Sequence, residues 1–473
     1  MIDTLGSLFW LTAGLLSILV VGYSLLVGLL PRRATFTSLE RLALSFGLGC
    51  LALSLWMLVL AWVRLPYTLP LVLGPWLLAS FPALWLAARR GWLTADLARA
   101  RGLGQALLTG GAQTGFTHLE RALLLLLLLA MGFATLRAML YPFWAWDELA
   151  TWGLKAKAFY LARGLDCSRF EAHNYYPNLV PLMLAYIYLW LGGISEPLAK
   201  ALFPVCGMSA LLVFYAFLRR LQVARTAALL ATAFLLLNGA TFLTHLFIAY
   251  ADLMLTWYHL VAAGWLYLWV QDEAPVGAGA VITCSFGGMA WSKFEGWPLV
   301  LILIVAAILT LWWLRPPGYG RKSGRVLLMG LGGWLLILPW RQFVYFQGWE
   351  VGLDHVGGFY PEQLWWGGGL VLKALVWPPY FGILWPTILF SLILAGRSLW
   401  TSARCFLALL VAGNLAAVIL AYAIVPTSVA EFPLYVRATV DRLLLHVAPA
   451  CALALAIPSV QLTCGSGEGR NFV

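Results

Sequence analysis

Two adjacent carboxylates and two lysines stand out in the stretch FWAWDELATWGLKAKAFY, residues 143–160, because the chain around them is almost uncharged. Asp147 and Glu148 could act as a general base and an orienting acid, and Lys155 and Lys157 could bind a phosphate group. Apolar residues recur there at roughly helical spacing, which predicts an amphipathic helix lying in a membrane interface. In that simpler interpretation the lysines contact lipid phosphates and the tryptophans lie at headgroup level.

A second polar cluster follows in EAHNYYPNLVP, residues 171–181. His173 and Tyr176 precede an apolar segment whose start is bracketed by prolines. One interpretation is an interfacial turn with tyrosines among the lipid headgroups. The alternative places His173 or Tyr176 against the phosphate or sugar of a substrate.

Three later segments carry charges where apolar runs begin or end. Asp252 opens the run in FIAYADLMLTW, where it could simply complement a helix dipole, an effect worth about 0.3–1 kcal/mol. Lys293 and Glu295 lie in a turn between two runs, either as a local ion pair or as part of a site. Arg437, Asp441 and Arg442 precede the last run, and snorkelling toward the interface would account for one arginine but not for an Asp–Arg pair. Retained charges at such depths favour a functional site, because each costs about 2.5–3.5 kcal/mol on insertion scales.

The composition is that of an integral membrane protein. Of 473 residues, 62% are hydrophobic and 10% are charged, whereas soluble domains carry about 25% charged residues. The net charge of +11 comes from arginines in loops, which indicates membrane topology and not nucleic-acid binding. The spacing of the seven cysteines predicts neither a disulfide framework nor a zinc site. Phosphate-cradling glycine loops and HExxH motifs are absent from the sequence.

Apolar runs of about 20 residues, the length that crosses the hydrocarbon, recur along the chain. They predict an all-α polytopic protein with about thirteen spans, the first of them retained and not a cleaved signal peptide. The predicted spans are residues 8–30, 42–63, 69–88, 122–140, 198–218, 227–242, 253–270, 278–291, 297–314, 326–346, 370–395, 406–425 and 443–460.

Loop charge assigns the sides of the membrane. If the N-terminus is outside and segment 179–194 does not cross, the arginine-rich loops all lie inside, as the positive-inside rule requires. We therefore expect segment 179–194 to be a helix packed at the membrane surface or re-entering it. The predicted organisation is N-terminal transmembrane helices at 1–141, a long outer loop with juxtamembrane helices at 142–197, a transmembrane core at 198–460 and a short cytoplasmic tail at 461–473. Two further outer loops are predicted at 347–366 and 426–441.

In their order and sidedness these motifs resemble the GT-C superfamily of membrane glycosyltransferases, which use polyprenyl-phosphate-linked sugars. The similar members are the dolichyl-phosphate-mannose protein mannosyltransferases and the lipid A aminoarabinose transferase. The resemblance covers the acid pair, the YP segment, the AD dipeptide, the K-x-E-G turn and DRLLL. It implies a GT-C fold with Asp147 as catalytic base, Asp252 as second outer acid and Lys293 as the motif lysine. Two features depart from the pattern: four spans precede the acidic loop instead of one, and YYP stands in place of the transferase's KPP, so its phosphate-binding lysine has no counterpart there.

Together the residues and the resemblance predict glycosyl transfer at the outer face of a membrane. Asp147 would deprotonate an acceptor hydroxyl, oriented by Glu148 and Asp252. The phosphate would be held by cations, with Lys293 and Arg442 as the main pair, and its further candidate contacts are Lys155, Lys157, His173, Tyr176, Glu295 and Arg437. Direct displacement predicts inversion at the anomeric carbon. No cofactor is required, although the three carboxylates could supply oxygen ligands to a divalent metal.

Several alternatives stay open at this stage. The acceptor could be a lipid, a glycan or a protein, and the sugar is unspecified. A glycolipid transporter or flippase would also retain charges in the membrane, although transporters tend to show internal repeats that this sequence lacks. Low lysine with abundant arginine, alanine and leucine favours a bacterial inner membrane with the site on its periplasmic face.

Overall fold

The computed structural model describes residues 4–109, 115–168, 170–349 and 357–457. The described residues form helices and connecting turns without any strand. The predicted tail at 461–473 lies outside the described residues, as does part of the predicted outer loop at 347–366. The first ten helices are α1 (Thr4–Leu29), α2 (Ser38–Trp62), α3 (Leu69–Arg89), α4 (Trp92–Thr109), α5 (His118–Leu140), α6 (Gly153–Ala162), α7 (Leu179–Leu191), α8 (Glu196–Ala199), α9 (Leu202–Arg220) and α10 (Arg225–Leu237).

The second half of the chain contributes ten more helices to the described part of the structure. They are α11 (Thr241–His245), α12 (Asp252–Val270), α13 (Ala278–Ser292), α14 (Gly296–Leu314), α15 (Tyr319–Phe346), α16 (Pro361–Leu375), α17 (Pro378–Phe381), α18 (Leu384–Ala395), α19 (Cys405–Ala423) and α20 (Phe432–Cys451). A π-helical turn, Glu148–Trp152, leads directly into α6.

The all-α polytopic fold class is confirmed. Within the described residues, 10 helical stretches are long and apolar enough to cross a membrane, and each coincides with a predicted span. The count of thirteen is not confirmed. The segments predicted at 227–242, 278–291 and 370–395 form helices of at most 15 residues, fewer than the roughly 20 that cross the hydrocarbon. Helix α10 ends before Gly239, whose φ of +102° brings its backbone against the Tyr380 carbonyl. The predicted span at 370–395 is divided among α16, α17 and α18, because Pro378 and Pro379 cannot continue a helix.

Helix α7 is the segment that the sequence places at the membrane surface or re-entering it. Its 13 residues are about 20 Å long, less than the roughly 30 Å hydrocarbon core. That length agrees with a helix that does not cross. Its level in the membrane stays a prediction, and within the protein Leu179 to Leu189 are buried where α7 packs against α1, α2 and α6.

The loops predicted to be cytoplasmic contact one another at one end of the bundle. Helices α2 and α5 begin with capping boxes whose glutamates also pair with arginines: Glu40 with Arg220 at the end of α9, and Glu120 with Arg225 at the start of α10. Ion pairs that join the predicted inner segments are Arg41–Asp96, Arg220–Glu40, Arg225–Glu120 and Lys322–Asp272. The arginine-rich segments therefore share one face, as the charge pattern predicts.

Helix α12 is the central helix of the described bundle, and nearly all of its residues are buried. It packs against α9, α13 and α20. The close approach of α2 to α12 depends on Gly47 of α2, where an added Cβ would lie 2.2 Å from the Trp257 ring. The Tyr258 hydroxyl donates to the Gly47 carbonyl at 2.6 Å. This packing fixes the N-terminal end of α12, and with it Asp252, at the end of the bundle away from the basic loops.

Candidate active site

A cavity of about 430 Å³ opens at the end of the bundle opposite the basic loops. It lies where the first outer loop, the turn between α13 and α14, the end of α19 and the start of α20 meet. Its lining combines aromatic rings with a few charges, the usual composition of a small-molecule site. The lining residues are Trp146, Asp147, Thr151, Trp152, His173, Tyr176, Lys293, Phe294, Glu295, Pro298, Ala421, Tyr422, Ile424, Val425, Tyr435, Thr439, Arg442 and Leu443.

Asp147 and Arg442 form an ion pair on the wall of this cavity although 295 residues separate them in the chain. The Arg442 Nη1 donates to Asp147 Oδ2, and both side chains remain partly exposed. Tyr250 contacts both residues of the pair. The centroid of its ring lies 5.1 Å from the Arg442 guanidinium, and its hydroxyl accepts from the Asp147 backbone N–H at 3.4 Å. Asp147 is the residue before the π-helical turn, a rare conformation that is frequent at functional sites.

Lys293 also lines the cavity and is held between two carboxylates. Its Nζ lies 3.1 Å from Asp252 Oδ1 and 3.0 Å from Glu295 Oε1. Burial lowers the pKa of Lys293, but the two carboxylates outweigh burial and the net shift is upward. The lysine is therefore charged at neutral pH. The turn K-F-E-G ends α13 at Lys293, which adopts an extended backbone, and so presents the ammonium group to the cavity.

Asp252 is fully buried behind the cavity wall. Its Oδ1 accepts from Lys293 and, at 2.7 Å, from the imidazole Nε2 of His446. Among the residues that the structure describes, none forms a hydrogen bond with Asp252 Oδ2. His446 was not predicted as a site residue, although a signal exists: it follows Arg442 by four residues, which places both on one face of α20.

Glu148 lies next to Asp147 in sequence but points into the protein interior. Its Oε2 accepts from the backbone N–H groups of Trp144 and Ala145 at 2.8 and 2.9 Å, and its Oε1 accepts from that of Ala249. Lys200 Nζ, also buried, lies 3.6 Å from Oε1. Both carboxylate oxygens are thus occupied by groups that join the first outer loop to the segment before α12.

Glu148→Gln is expected to lower the free energy of unfolding by about 3 kcal/mol. The amide replaces one acceptor by a donor, which leaves a buried N–H unsatisfied and Lys200 without its counter-charge. Thermal unfolding of the detergent-purified protein measures the effect. The matched control is Glu171→Gln, which removes the same charge from an exposed position of the same loop. Equal unfolding temperatures for the two variants would contradict this structural role.

His173 and Tyr176 form an aromatic wall of the cavity. Their rings are stacked at 5.1 Å, and Tyr176 also stacks on Phe294 at 6.2 Å. His173 has a left-handed backbone with φ of +48°. Its carbonyl accepts from the Tyr176 N–H at 2.8 Å and from Lys155 Nζ at 2.7 Å. Lys155 is thus buried behind this wall and fixes the turn that carries it, instead of contacting lipid phosphate.

Burial lowers the pKa of Lys155 from 10.5 to about 8. Since the unfolded chain binds the proton more tightly, stability is expected to rise with pH as the folded-state lysine loses its charge. Between pH 7 and 9 the free energy of unfolding should increase by about 1 kcal/mol more in the wild type than in Lys155→Met. Thermal unfolding of both proteins across this range measures the difference. Parallel pH profiles would show that Lys155 does not titrate there.

Besides Glu148, Lys155 and Asp252, two further predicted site residues lie outside the cavity lining. Lys157 forms an ion pair with Glu196 and lies 5.7 Å from the centroid of the Phe143 ring. Arg437 is exposed on α20, and its backbone carbonyl accepts from the Tyr380 hydroxyl at 3.5 Å. Glu196 also accepts from the Phe143 N–H at 2.9 Å, so Lys157 belongs to the contacts that anchor the outer loop.

The three predicted carboxylates do not share a common site. Asp147 pairs with Arg442, Asp252 with Lys293 and His446, and Glu148 with backbone amides. In the part of the chain that the structure describes, no group of three or more His, Cys, Asp or Glu side chains could hold a metal ion.

The fold of the chain is shared with known structures. The crystal structure of ArnT from Cupriavidus metallidurans bound to undecaprenyl phosphate matches with a TM-score of 0.53 over 72% of this chain. The chain has the fold of ArnT. The apo structure of the same protein gives a TM-score of 0.52 over 74% of the chain, and sequence identity is 14% in both cases.

ArnT is a lipid A aminoarabinose transferase of the GT-C superfamily, so the resemblance seen in the sequence is confirmed at the level of the fold. The chain spans 60% of the length of the ArnT chain that it matches. No protein-family model matches the sequence, and no curated protein sequence matches it significantly.

Proposed function

We propose that the protein transfers a sugar from a polyprenyl-phosphate donor to an acceptor hydroxyl on the non-cytoplasmic face of a bacterial inner membrane. The observation that carries this proposal is the cavity in which Asp147, Lys293 and Arg442 meet. It supplies a carboxylate and two cations at one end of a fold shared with an enzyme crystallised with undecaprenyl phosphate.

Lys293 and Arg442 are the groups proposed to bind the donor phosphate. Both line the cavity, and charge-assisted hydrogen bonds of this kind are roughly twice as strong as neutral ones. The leaving group is a lipid phosphate, which is stable as an anion and needs no strong general acid. Stabilisation of its developing charge by cations in a partly buried site is therefore the main electrostatic requirement.

Asp147 is the proposed general base. Its carboxylate is a partly exposed acid on the cavity wall and is paired with Arg442, whereas Glu295, the other acid in the lining, is paired with Lys293. When the donor phosphate engages Arg442, Asp147 can accept the proton of the acceptor hydroxyl, which attacks the anomeric carbon as the bond to phosphate breaks. A single displacement inverts that carbon, so a β-linked donor gives an α-linked product. Base catalysis of this type contributes about 10²–10⁴-fold.

The buried acids act through the residues that they hold. Asp252, with His446 and Glu295, fixes the position and charge of Lys293. Glu148 fixes the segment that carries Asp147. No metal enters this scheme, so transfer should proceed in the presence of EDTA. The acceptor is proposed to be a lipid or a small glycan, although a protein hydroxyl would satisfy the same chemistry.

The test is reconstitution of the full chain in liposomes with undecaprenyl-phosphate-linked sugars and a lipid extract as acceptor. Transfer is measured by release of undecaprenyl phosphate and by labelled product, with and without EDTA. Translocation of the sugar lipid is measured in the same vesicles by its accessibility from outside. Transfer that depends on Asp147 supports the proposal. Translocation without transfer would identify a flippase instead.

A further inference from the structure

A second and larger cavity, of about 970 Å³, lies among α2, α5, α9 and α10. Pockets for small molecules typically measure about 300–1,000 Å³, so this one is at the upper end of the range. Its walls are mainly leucine and methionine side chains, including Leu127, Met131, Met208 and Leu212. None of the residues that line the candidate active site lines this cavity.

The two cavities lie at opposite ends of the bundle. Asp252, at the first residue of α12, contacts Lys293 of the candidate active site. Glu273, just after the last turn of α12, lines the second cavity. The 19 residues of α12 separate these ends by roughly 28 Å. The second cavity therefore opens at the end where the basic loops meet.

The rim of the second cavity is polar and carries an excess of positive charge. Three arginines and two carboxylates belong to the lining: Arg99, Arg219, Arg220, Glu40 and Glu273. Arg220 is bound bidentately by Glu40, with both nitrogen–oxygen distances at 2.6 Å. Arg99 and Arg219 are exposed, and Arg219 uses one nitrogen to donate to the Val223 carbonyl. Their guanidinium groups can therefore reach an anion at the cavity mouth.

One wall of the cavity faces laterally. Helix α5 contributes Leu124, Leu127 and Leu128, and Leu128 is exposed. Only 22% of the apolar stretch of α5 is buried within the bundle, so most of this helix faces the hydrocarbon. A chain that entered from the bilayer along α5 would reach the apolar interior without crossing a polar barrier. A ligand that enters such a cavity from the side, with an anionic head at the basic rim and an apolar tail among the leucines, is a membrane lipid.

We propose that this second cavity binds an anionic glycerophospholipid, with its phosphate at Arg99 and Arg219 and its acyl chains among the apolar residues of α5 and α9. The basic rim favours an anionic over a zwitterionic headgroup, since basic residues near a membrane surface attract anionic lipids. The polyprenyl donor is a less suitable occupant, because its phosphate would lie at the far end of α12 from Asp147 and Lys293. This inference is independent of the proposed transfer activity.

The test is a titration of the delipidated full chain in detergent with dioleoyl phosphatidylglycerol, followed by native mass spectrometry. Phosphatidylcholine with the same chains is expected to bind at least tenfold more weakly. The double variant Arg99→Gln/Arg219→Gln is expected to lose the preference for phosphatidylglycerol, whereas Arg321→Gln, an exposed arginine outside the cavity lining, should retain it. Leu212→Trp, which fills the cavity and leaves every arginine in place, is expected to weaken binding of both lipids.

Three outcomes would overturn the proposal. Equal binding of the two lipids would exclude recognition of the headgroup charge. Binding unchanged in Leu212→Trp would place the lipid outside this cavity, and this variant answers the question even if the arginine variants do not fold. Displacement of phosphatidylglycerol by equimolar undecaprenyl phosphate would assign the cavity to the polyprenyl lipid instead.

Discussion

Asp147→Asn is expected to reduce the turnover of sugar transfer about 10²–10⁴-fold. The amide keeps the shape of the side chain and its place on the cavity wall, but it cannot accept the acceptor proton at neutral pH. Donor binding should persist, because Lys293 and Arg442 remain. Initial rates in proteoliposomes and binding of the donor lipid, measured on the same preparation, separate the two effects.

The loss of the Asp147–Arg442 ion pair is a second consequence of this substitution, and it requires controls. Arg442→Gln breaks the same pair but removes a phosphate-binding cation, so it should weaken donor binding as well as lower turnover, whereas Asp147→Asn should lower turnover alone. Asp147→Glu restores a carboxylate and should recover part of the turnover. Asp272→Asn, an exposed acid at the opposite end of the bundle, should leave transfer unchanged. Full turnover in Asp147→Asn would eliminate this residue as the base.

Lys293→Gln is expected to lower turnover about 10²–10³-fold, the usual loss when one group that stabilises developing negative charge is removed. It should also lower the free energy of unfolding by about 3–5 kcal/mol, because a buried charge loses its partner. Asp252 and Glu295 would then lose the cation that they share. His446 would remain as the hydrogen-bond partner of Asp252. Transfer assays and thermal unfolding measure the two effects separately.

A double variant distinguishes the catalytic part of this effect from the structural part. Lys293→Gln/Asp252→Asn removes the buried charge together with its counter-charge, so stability should recover while transfer stays low. The cycle of single and double variants gives the coupling between the two residues directly. Recovery of transfer in the double variant would mean that Lys293 supports the fold and does not bind the phosphate.

The positions of Asp147 and Glu148 show where sequence reasoning reaches its limit. Adjacent residues of a helix point about 100° apart, so one acid of such a pair can face a cavity while the other is buried. The sequence does not reveal which, because the answer depends on the π-helical turn and on the Ala249 N–H, 101 residues away. The same applies to Lys155 and Lys157, of which one supports the aromatic wall and the other anchors the loop.

The role of His446 and the packing of α7 depend on distant segments for a related reason. The four-residue spacing from Arg442 places His446 on the same face of α20, but its role emerges only where it meets Asp252, 194 residues away. The apolar character of α7 does not reveal its neighbours. The structure shows that α1, α2 and α6 cover it.

The sequence by itself determined that this chain is a bundle of membrane helices, identified the ten helices long enough to cross among thirteen predicted spans, and placed its basic loops on one face. Those properties follow from local hydropathy and loop charge, which each segment carries independently of the rest. Tertiary structure alone decided which charges share a cavity and which are buried as supports. A charge inside a membrane protein is stable only with a partner, and here the partners of Asp147 and Asp252 come from α13 and α20, far away along the chain.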